Sequence, residues 1–173
     1  MTWLKALILA FCEWCNSSFF GHGIRDSVWL FPFVEIFHIV ALSILGASVI
    51  LLNMRLIGIR FRNDPISALA RDLRPWIIGS LVVMLISGFL LFSTEAVKMY
   101  GNWAFQLKML FLLLAIIFTF TIYRRVTTTD DAPAAVRWVT AVVSVLLWTG
   151  VGLGGRALGY VTTAATAATA AGH

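Results

Sequence analysis

Long apolar runs separated by short polar and basic stretches set the pattern of this chain. Four runs are long enough to cross the hydrocarbon core of a bilayer as helices, over residues 29–53, 75–92, 105–123 and 134–155. Short connections between such helices favour an up-and-down arrangement. The pattern therefore predicts an all-α protein, a transmembrane four-helix bundle formed by a single membrane domain over residues 1–160.

Two further segments flank these spans. Over residues 2–15 the side chains of Trp3, Leu7 and Phe11 or Trp14 share one face, which predicts an N-terminal amphipathic helix lying in the membrane interface. Its apolar core is short and no small-x-small cleavage site follows, so we expect this helix to be retained instead of being removed as a signal peptide. Residues 161–173 form a low-complexity Thr/Ala tail to which we assign no site.

The second span has two features that bear on its packing. Pro75 is predicted to open it after a short surface helix, with Asn63-Asp64-Pro65 as turn and cap. Within the span Ser80, Ser87 and Thr94 repeat every seven residues. Small hydroxyl side chains allow close contact between helices in lipid, so we expect this row to face another span.

Composition and charge narrow the class further. The chain is 60% hydrophobic and 12% charged, which excludes an ordinary soluble domain. Its net charge of +5 does not indicate nucleic-acid binding, because the basic residues lie between the apolar runs. The connectors after spans one and three hold eight of the thirteen: Arg55, Arg60, Arg62, Arg71, Arg74, Arg124, Arg125 and Arg137. By the positive-inside rule, a multi-pass protein of the bacterial inner membrane would then have both termini in the periplasm.

Titratable residues near the start of the first span point to a site. Glu35 and His38 lie three residues apart there, and such groups at membrane depth need partners or a function. In an up-and-down bundle of this orientation they share an outer layer with Glu95, Lys108 and Arg156. We therefore predict a polar pocket at the outer face of the membrane.

His38 is the principal candidate ligand of this pocket. Neutral imidazole is an axial ligand of haem iron or chlorophyll magnesium, and it also binds copper. Spans two to four contain no histidine, so a haem with two histidines from different spans is unsupported. The second axial position would be taken by Met84, by Met109, by His22 folding down from the preceding linker, or would stay open.

Lys108 and Arg156 are the candidate cations of the pocket. They could bind a propionate, a quinone oxygen or a lipid phosphate, and the alternative is that they neutralise Glu35 or reach the headgroups. Arg156 follows Gly152, Gly154 and Gly155, which would let another backbone or a flat ligand approach.

Cys12 and Cys15 have the spacing of a redox or metal-binding pair. No histidine follows them directly, which excludes covalent haem attachment at this motif. They remain candidate metal ligands together with His38, although a two-residue spacing within a helix is often incidental.

Three blocks of residues resemble a known family. They are Ile24-Arg25-x-Ser27-x-Trp29-Leu30-Phe31-Pro32-x-x-Glu35-x-x-His38, Ala104-Phe105-x-x-Lys108-Met109 and Gly155-Arg156. Over about residues 12–160 the chain resembles a family of bacterial integral-membrane proteins catalogued only as a domain of unknown function. The resemblance implies a small four-span bundle in which Glu35, His38, Lys108 and Arg156 match family positions, and it implies no activity. More distantly, the chain is similar to the membrane domain of copper-resistance D proteins.

The predicted pocket lacks a nucleophile, a phosphate-binding loop and a sufficient metal cluster, which favours a non-catalytic role. Our leading hypothesis is a subunit of a redox or photosynthetic complex that holds haem b, a chlorophyll-type pigment or a quinone near His38. One alternative is copper handling, in which the two cysteines, His22, His38 and some of the methionines would pass a soft cation inward. Another is a purely structural protein braced by a buried ionic contact from Glu35 to Arg156. The expected partners are the lipid bilayer and other membrane subunits.

Overall fold

Every regular secondary-structure element in the described part of the chain is a helix. The computed structural model describes residues 2–17, 24, 27–60, 63 and 65–171, so the candidate ligand His22 lies outside the described residues. The helices are α1 (Thr2–Ser17), α2 (Leu30–Leu56), α3 (Ile66–Thr94), α4 (Ala96–Tyr100), α5 (Trp103–Phe118), α6 (Arg124–Thr127) and α7 (Ala134–Ala171), with a π-helical turn at Thr119–Tyr123 between α5 and α6. The predicted all-α class is confirmed.

Four helical segments are long and apolar enough to cross a membrane. They are Leu30–Leu56, Ile66–Thr94, Trp103–Thr127 and Ala134–Ala157. Each contains one of the predicted spans or the greater part of it, since helix length and apolar content depend on local sequence alone. The protein is therefore a multi-pass membrane protein with a transmembrane helical fold.

The second span differs from the prediction at its start. Helix α3 begins at Ile66 and runs through Pro75, so the expected surface helix and the span are one continuous helix. Proline removes the backbone hydrogen bond that its own nitrogen would donate, here to the Arg71 carbonyl, while the bonds on either side keep the helix intact.

The chain forms two compact units, of which unit one comprises Met1–Leu45 and Ile77–Asn102. On α1, Cys12 and Cys15 are buried against Ala96, and Phe92 and Tyr100 pack beside them. The opposite side chains of α1 are exposed, namely Trp3, Leu7, Phe11 and Trp14. The predicted apolar face of the N-terminal helix is thus the face that does not contact the rest of unit one.

Unit two comprises Gly46–Trp76 and Trp103–His173. The connector between α2 and α3 and the one between α6 and α7 meet at the start of α3. There the backbone N–H and the hydroxyl of Ser67 donate to the two carboxylate oxygens of Asp130, at 3.0 and 2.7 Å. A carboxylate at a helix N-terminus satisfies N–H groups that have no partner within the helix. Asp130, in the loop that follows α6, therefore caps α3. The sequence predicted a cap at Asn63-Asp64-Pro65, and Asp64 lies outside the described residues.

Candidate functional site

His38 is held by a hydrogen bond between α2 and α3. Its ring is half-buried, and Nδ1 lies 2.9 Å from the hydroxyl oxygen of Ser87. That hydroxyl has another acceptor, the Val83 carbonyl one turn earlier on α3, at 2.7 Å. A serine hydroxyl has one hydrogen, and here it goes to a carbonyl that cannot donate in return. From this second bond we infer that Ser87 accepts from His38, in the tautomer that has the imidazole proton on Nδ1 and the lone pair on Nε2.

The ring of His38 also lies against the backbone of α3 at Gly88. A Cβ atom at this position would lie 3.2 Å from Cε1 of the ring and 3.7 Å from Nδ1. Glycine thus leaves the space that the imidazole occupies, next to the serine that binds it. The row of small hydroxyl residues predicted to face another span is buried as expected, at Ser80, Ser87 and Thr94.

Glu35 does not share the environment of His38. Its side chain is exposed, one turn before His38 on α2, whereas the imidazole is turned toward α3. The neighbouring outward side chains are aromatic, with Phe33 and Phe37 forming an edge-to-face pair at a centroid distance of 4.9 Å. The structure therefore separates the two titratable residues that the sequence places on adjacent turns.

Lys108 belongs to unit two, where α5 packs against α7 through glycines. A Cβ atom at Gly154 would lie 3.0 Å from Cβ of Lys108, and one at Gly155 would lie 3.6 Å from its Nζ. One turn further, a Cβ at Gly150 would lie 2.7 Å from the ring of Phe111. The glycines thus accommodate a neighbouring helix, as one of the two sequence interpretations proposed. Arg156 follows directly and is exposed.

The predicted pocket draws on both units. Glu35, His38 and Glu95 belong to unit one, and Lys108 and Arg156 belong to unit two. Each unit is defined by its own packing, so the convergence of all five residues in one layer stays a prediction.

Cys12 and Cys15 are buried on α1 in the thiol form. Burial raises the pKa of both thiols, and the nearby Cys15 and Glu13 raise that of Cys12 further. A raised pKa disfavours the thiolate, which is the form that binds metals and exchanges disulfides. Within the described ranges, moreover, no three His, Cys, Asp or Glu residues are grouped so that they could hold a metal ion.

Unit two contains a buried polar network that the sequence analysis did not predict. The hydroxyl of Tyr123 donates to Oδ1 of Asn53 at 2.9 Å, and Nδ2 of Asn53 donates to the Ser144 hydroxyl at 3.2 Å. Tyr123 ends the π-helical turn, which holds one more residue per turn than an α-helix and changes the direction of the side chains that follow. Asn53, a polar amide at the end of an apolar run, is the signal that the sequence offers for this network.

Comparison with known proteins identifies a family and nothing more specific. A family model described as a family of unknown function (DUF6644) matches residues 11–161. Neither the curated proteins nor the solved structures give a significant match.

Proposed function

The chain belongs to DUF6644, a family of unknown function, and we propose that it is a non-catalytic subunit of a redox or photosynthetic complex in the bacterial inner membrane that binds a metal tetrapyrrole through His38. The observation that carries this proposal is the hydrogen bond between His38 Nδ1 and the Ser87 hydroxyl. Histidines that ligate metals characteristically donate their other N–H to a fixed acceptor, which orients the ring and makes the ligating nitrogen more basic.

The depth of His38 agrees with a membrane-embedded ligand. Helix α2 has 27 residues, which corresponds to roughly 40 Å against a hydrocarbon core of about 30 Å. His38 lies eight residues from the start of α2, roughly 12 Å along the helix, and therefore within the apolar part of the span. A titratable side chain at this depth is costly, and a functional role is one reason for a sequence to keep it.

The assigned proton position favours a tetrapyrrole over a quinone. A quinone carbonyl accepts hydrogen bonds, whereas Nε2 carries a lone pair and donates none when the proton is on Nδ1. A haem iron or a chlorophyll magnesium takes that lone pair directly. The same nitrogen could thus ligate a tetrapyrrole without any change of protonation.

We further propose that this chain supplies one axial ligand only. Nδ1 and Nε2 lie on different sides of the ring, so Nε2 is directed away from Ser87. Met84 is buried on the same helix as Ser87, which disfavours it as a ligand opposite His38. Among the described residues, His38 is the one that would hold the group, and it would supply a single nitrogen ligand to the metal.

The copper alternative has less support. It requires thiolates at Cys12 and Cys15, and the burial of both groups favours the neutral thiol. Metal analysis of the purified protein would detect a copper site at these cysteines, at His22 or at His38 directly.

The proposed orientation has both termini in the periplasm. It is supported by the excess of arginine in the connectors after spans one and three, since positively charged loops stay in the cytoplasm. In this orientation His38 lies in the periplasmic half of the membrane.

Absorption spectroscopy tests the proposed ligand. The protein would be produced in one bacterial host that makes haem and in another that makes bacteriochlorophyll, then purified in mild detergent. We expect a Soret or pigment band in proportion to protein from one of the hosts, and at least a tenfold loss of that band in His38→Ala. His173→Ala serves as the matched histidine control and should retain it. A wild-type protein without pigment from both hosts, or a His38→Ala variant with the full band, would refute tetrapyrrole binding.

A further inference from the structure

Helix α1 packs against a short helix that connects two membrane spans. Its residues Cys12 and Cys15 are buried against Ala96 of α4, within unit one. One residue, Glu95, separates α4 from the second span, and two residues separate it from the third. A connector this short, between two helices that cross the bilayer, lies at the membrane surface. The contact therefore holds α1 at that surface.

Helix α1 is too short to cross the membrane itself. It has 16 residues, which corresponds to a length of roughly 24 Å, whereas the hydrocarbon core is about 30 Å thick. Its apolar part is shorter still, over Ala6–Cys15. The helix therefore lies either in the membrane interface or in the water beyond it.

One side of α1 is apolar and does not pack on the protein. The side chains of Trp3, Leu7, Phe11 and Trp14, here called the apolar row, are between 50% and 73% exposed. The rings of Phe11 and Trp14 are neighbours, with centroids 6.1 Å apart. A row of this size would be costly in water. Tryptophan at both ends of it is typical of the boundary between headgroups and acyl chains.

The remaining side of α1 is suited to water. Glu13 is exposed and follows Phe11 by two residues, which places it nearly on the opposite side of the helix. An orientation parallel to the membrane directs the apolar row toward the acyl chains and Glu13 toward water, while the two cysteines contact α4. All three sides of the helix then have a suitable environment.

We propose that α1 binds the lipid surface of the bilayer through the apolar row, inserted to the boundary between headgroups and acyl chains. A second copy of the chain could also cover an apolar face, but α4 already places α1 next to lipid. The segment has one lysine and one glutamate, so burial of the row drives binding and headgroup charge contributes little. This inference is independent of any ligand at His38.

Photocrosslinking of the full chain in phosphatidylcholine nanodiscs tests the orientation of α1. The photoreactive residue p-benzoylphenylalanine replaces Phe11 in one variant and Glu13 in the matched control, and both positions are exposed, so neither change disturbs the packing on α4. Intact mass spectrometry then identifies the adducts. We expect a phospholipid adduct at Phe11 with a yield roughly fivefold higher than at Glu13. Nanodiscs that also contain phosphatidylglycerol should give the same yields.

Several results of this experiment would overturn the proposal. A crosslink from Phe11 to a second copy, or to another part of the same chain, would show that protein covers the apolar row. Equal lipid yields at Phe11 and Glu13 would exclude a fixed orientation, and the absence of any adduct would place the row in water. A higher yield with phosphatidylglycerol would show that charge drives the contact.

Tryptophan fluorescence measures the depth of the same helix. Trp3→Phe and Trp14→Phe each remove one exposed indole, so the difference from wild type reports the emission of that ring. We expect this emission to be quenched more strongly by phospholipids brominated near the headgroup end of the acyl chain than by those brominated near its methyl end. Emission that neither lipid quenches, or that the methyl-end bromine quenches more strongly, would contradict the interfacial position.

Discussion

Nδ1 of His38 lies within hydrogen-bond distance of the hydroxyl oxygen of Ser87, at 2.9 Å. This bond joins α2 to α3 within unit one, and the hydroxyl of Ser87 also donates to the Val83 carbonyl, at 2.7 Å. A fixed proton on one ring nitrogen defines the chemistry of the other. The proposed function rests on the position that we infer for this proton, and that position depends on how α2 packs against α3.

Gly88 and Gly79 provide a matched pair on α3. Gly88→Ala would place a Cβ atom 3.2 Å from the His38 ring, whereas Gly79→Ala would meet nothing within 4 Å. We expect Gly88→Ala to displace the imidazole and to lower the stability by about 1–2 kcal/mol. Gly79→Ala should raise it by about 0.5–1 kcal/mol, because alanine favours the helix. Thermal unfolding in detergent measures both, and equal effects would show that His38 does not pack on Gly88.

The contact between α5 and α7 makes a similar prediction in unit two. A Cβ atom at Gly154 would lie 3.0 Å from Cβ and 3.2 Å from Cα of Lys108, and backbone moves less readily than the end of a side chain. Gly154→Ala should therefore cost about 1–3 kcal/mol of stability. Gly152→Ala, with nothing within 4 Å, is the control and should be neutral or slightly stabilising. A melting temperature unchanged by Gly154→Ala would rule out this close approach of the two helices.

The buried network of Asn53, Tyr123 and Ser144 should show coupled energetics. Tyr123→Phe removes the donor to Asn53 and leaves a buried carbonyl oxygen without a partner, which costs about 1–3 kcal/mol. Combining it with Asn53→Leu should cost less than the sum of the two single changes, because both partners are then absent. Thr121→Val, which removes an exposed hydroxyl, is the control. Additive effects in the denaturation series would mean that the two side chains do not interact.

The cap that Asp130 provides to α3 predicts a dependence of stability on pH. Hydrogen bonds from the Ser67 backbone N–H and hydroxyl, aided by the charge of Arg55, hold the pKa of this carboxyl below its usual value of 3.8. A carboxyl with a lowered folded-state pKa stabilises the protein above its unfolded-state pKa, and this contribution is lost as the pH falls from about 4 through the lowered value. Wild type should therefore lose more stability over this acid range than Asp130→Asn.

The control for this experiment is Asp131→Asn, the exposed neighbour in the same loop. It should retain the acid-dependent loss seen in wild type. If the melting temperatures of wild type and Asp130→Asn fall in parallel below pH 4, the cap does not depend on the charge of Asp130.

The spans and the exposed face of α1 could be predicted because they depend on local patterns. Length and apolar content define a transmembrane helix, and a period of 3.6 residues puts Trp3, Leu7 and Phe11 on one side. His38 was recognisable because a titratable group in a span is costly. The row containing Ser87 was recognisable as a helix-packing face. Their pairing was not, since it depends on the relative height of two helices.

The remaining contacts depend on long-range geometry. Asp130 caps a helix that begins 64 residues earlier in the chain, and no local pattern connects the two. The π-helical turn before Tyr123 changes the face on which this residue lies, so a regular helical projection does not bring it to Asn53. The exposure of Glu35 was not predicted. Residues three positions apart lie on the same side of a helix but do not point in the same direction, so Glu35 is exposed where His38 faces α3.

The most direct test of the central claim is the protonation state of His38, read from the ring nitrogens by ¹⁵N NMR of histidine-labelled protein in detergent or nanodiscs. His38→Ala identifies its signals among the three histidines of the chain. We predict a neutral ring at neutral pH with a protonated Nδ1 and an unprotonated Nε2, and a loss of this preference in Ser87→Ala but not in Ser43→Ala, whose exposed hydroxyl bonds within α2. A proton on Nε2, or a doubly protonated ring in the wild-type protein, would contradict the account.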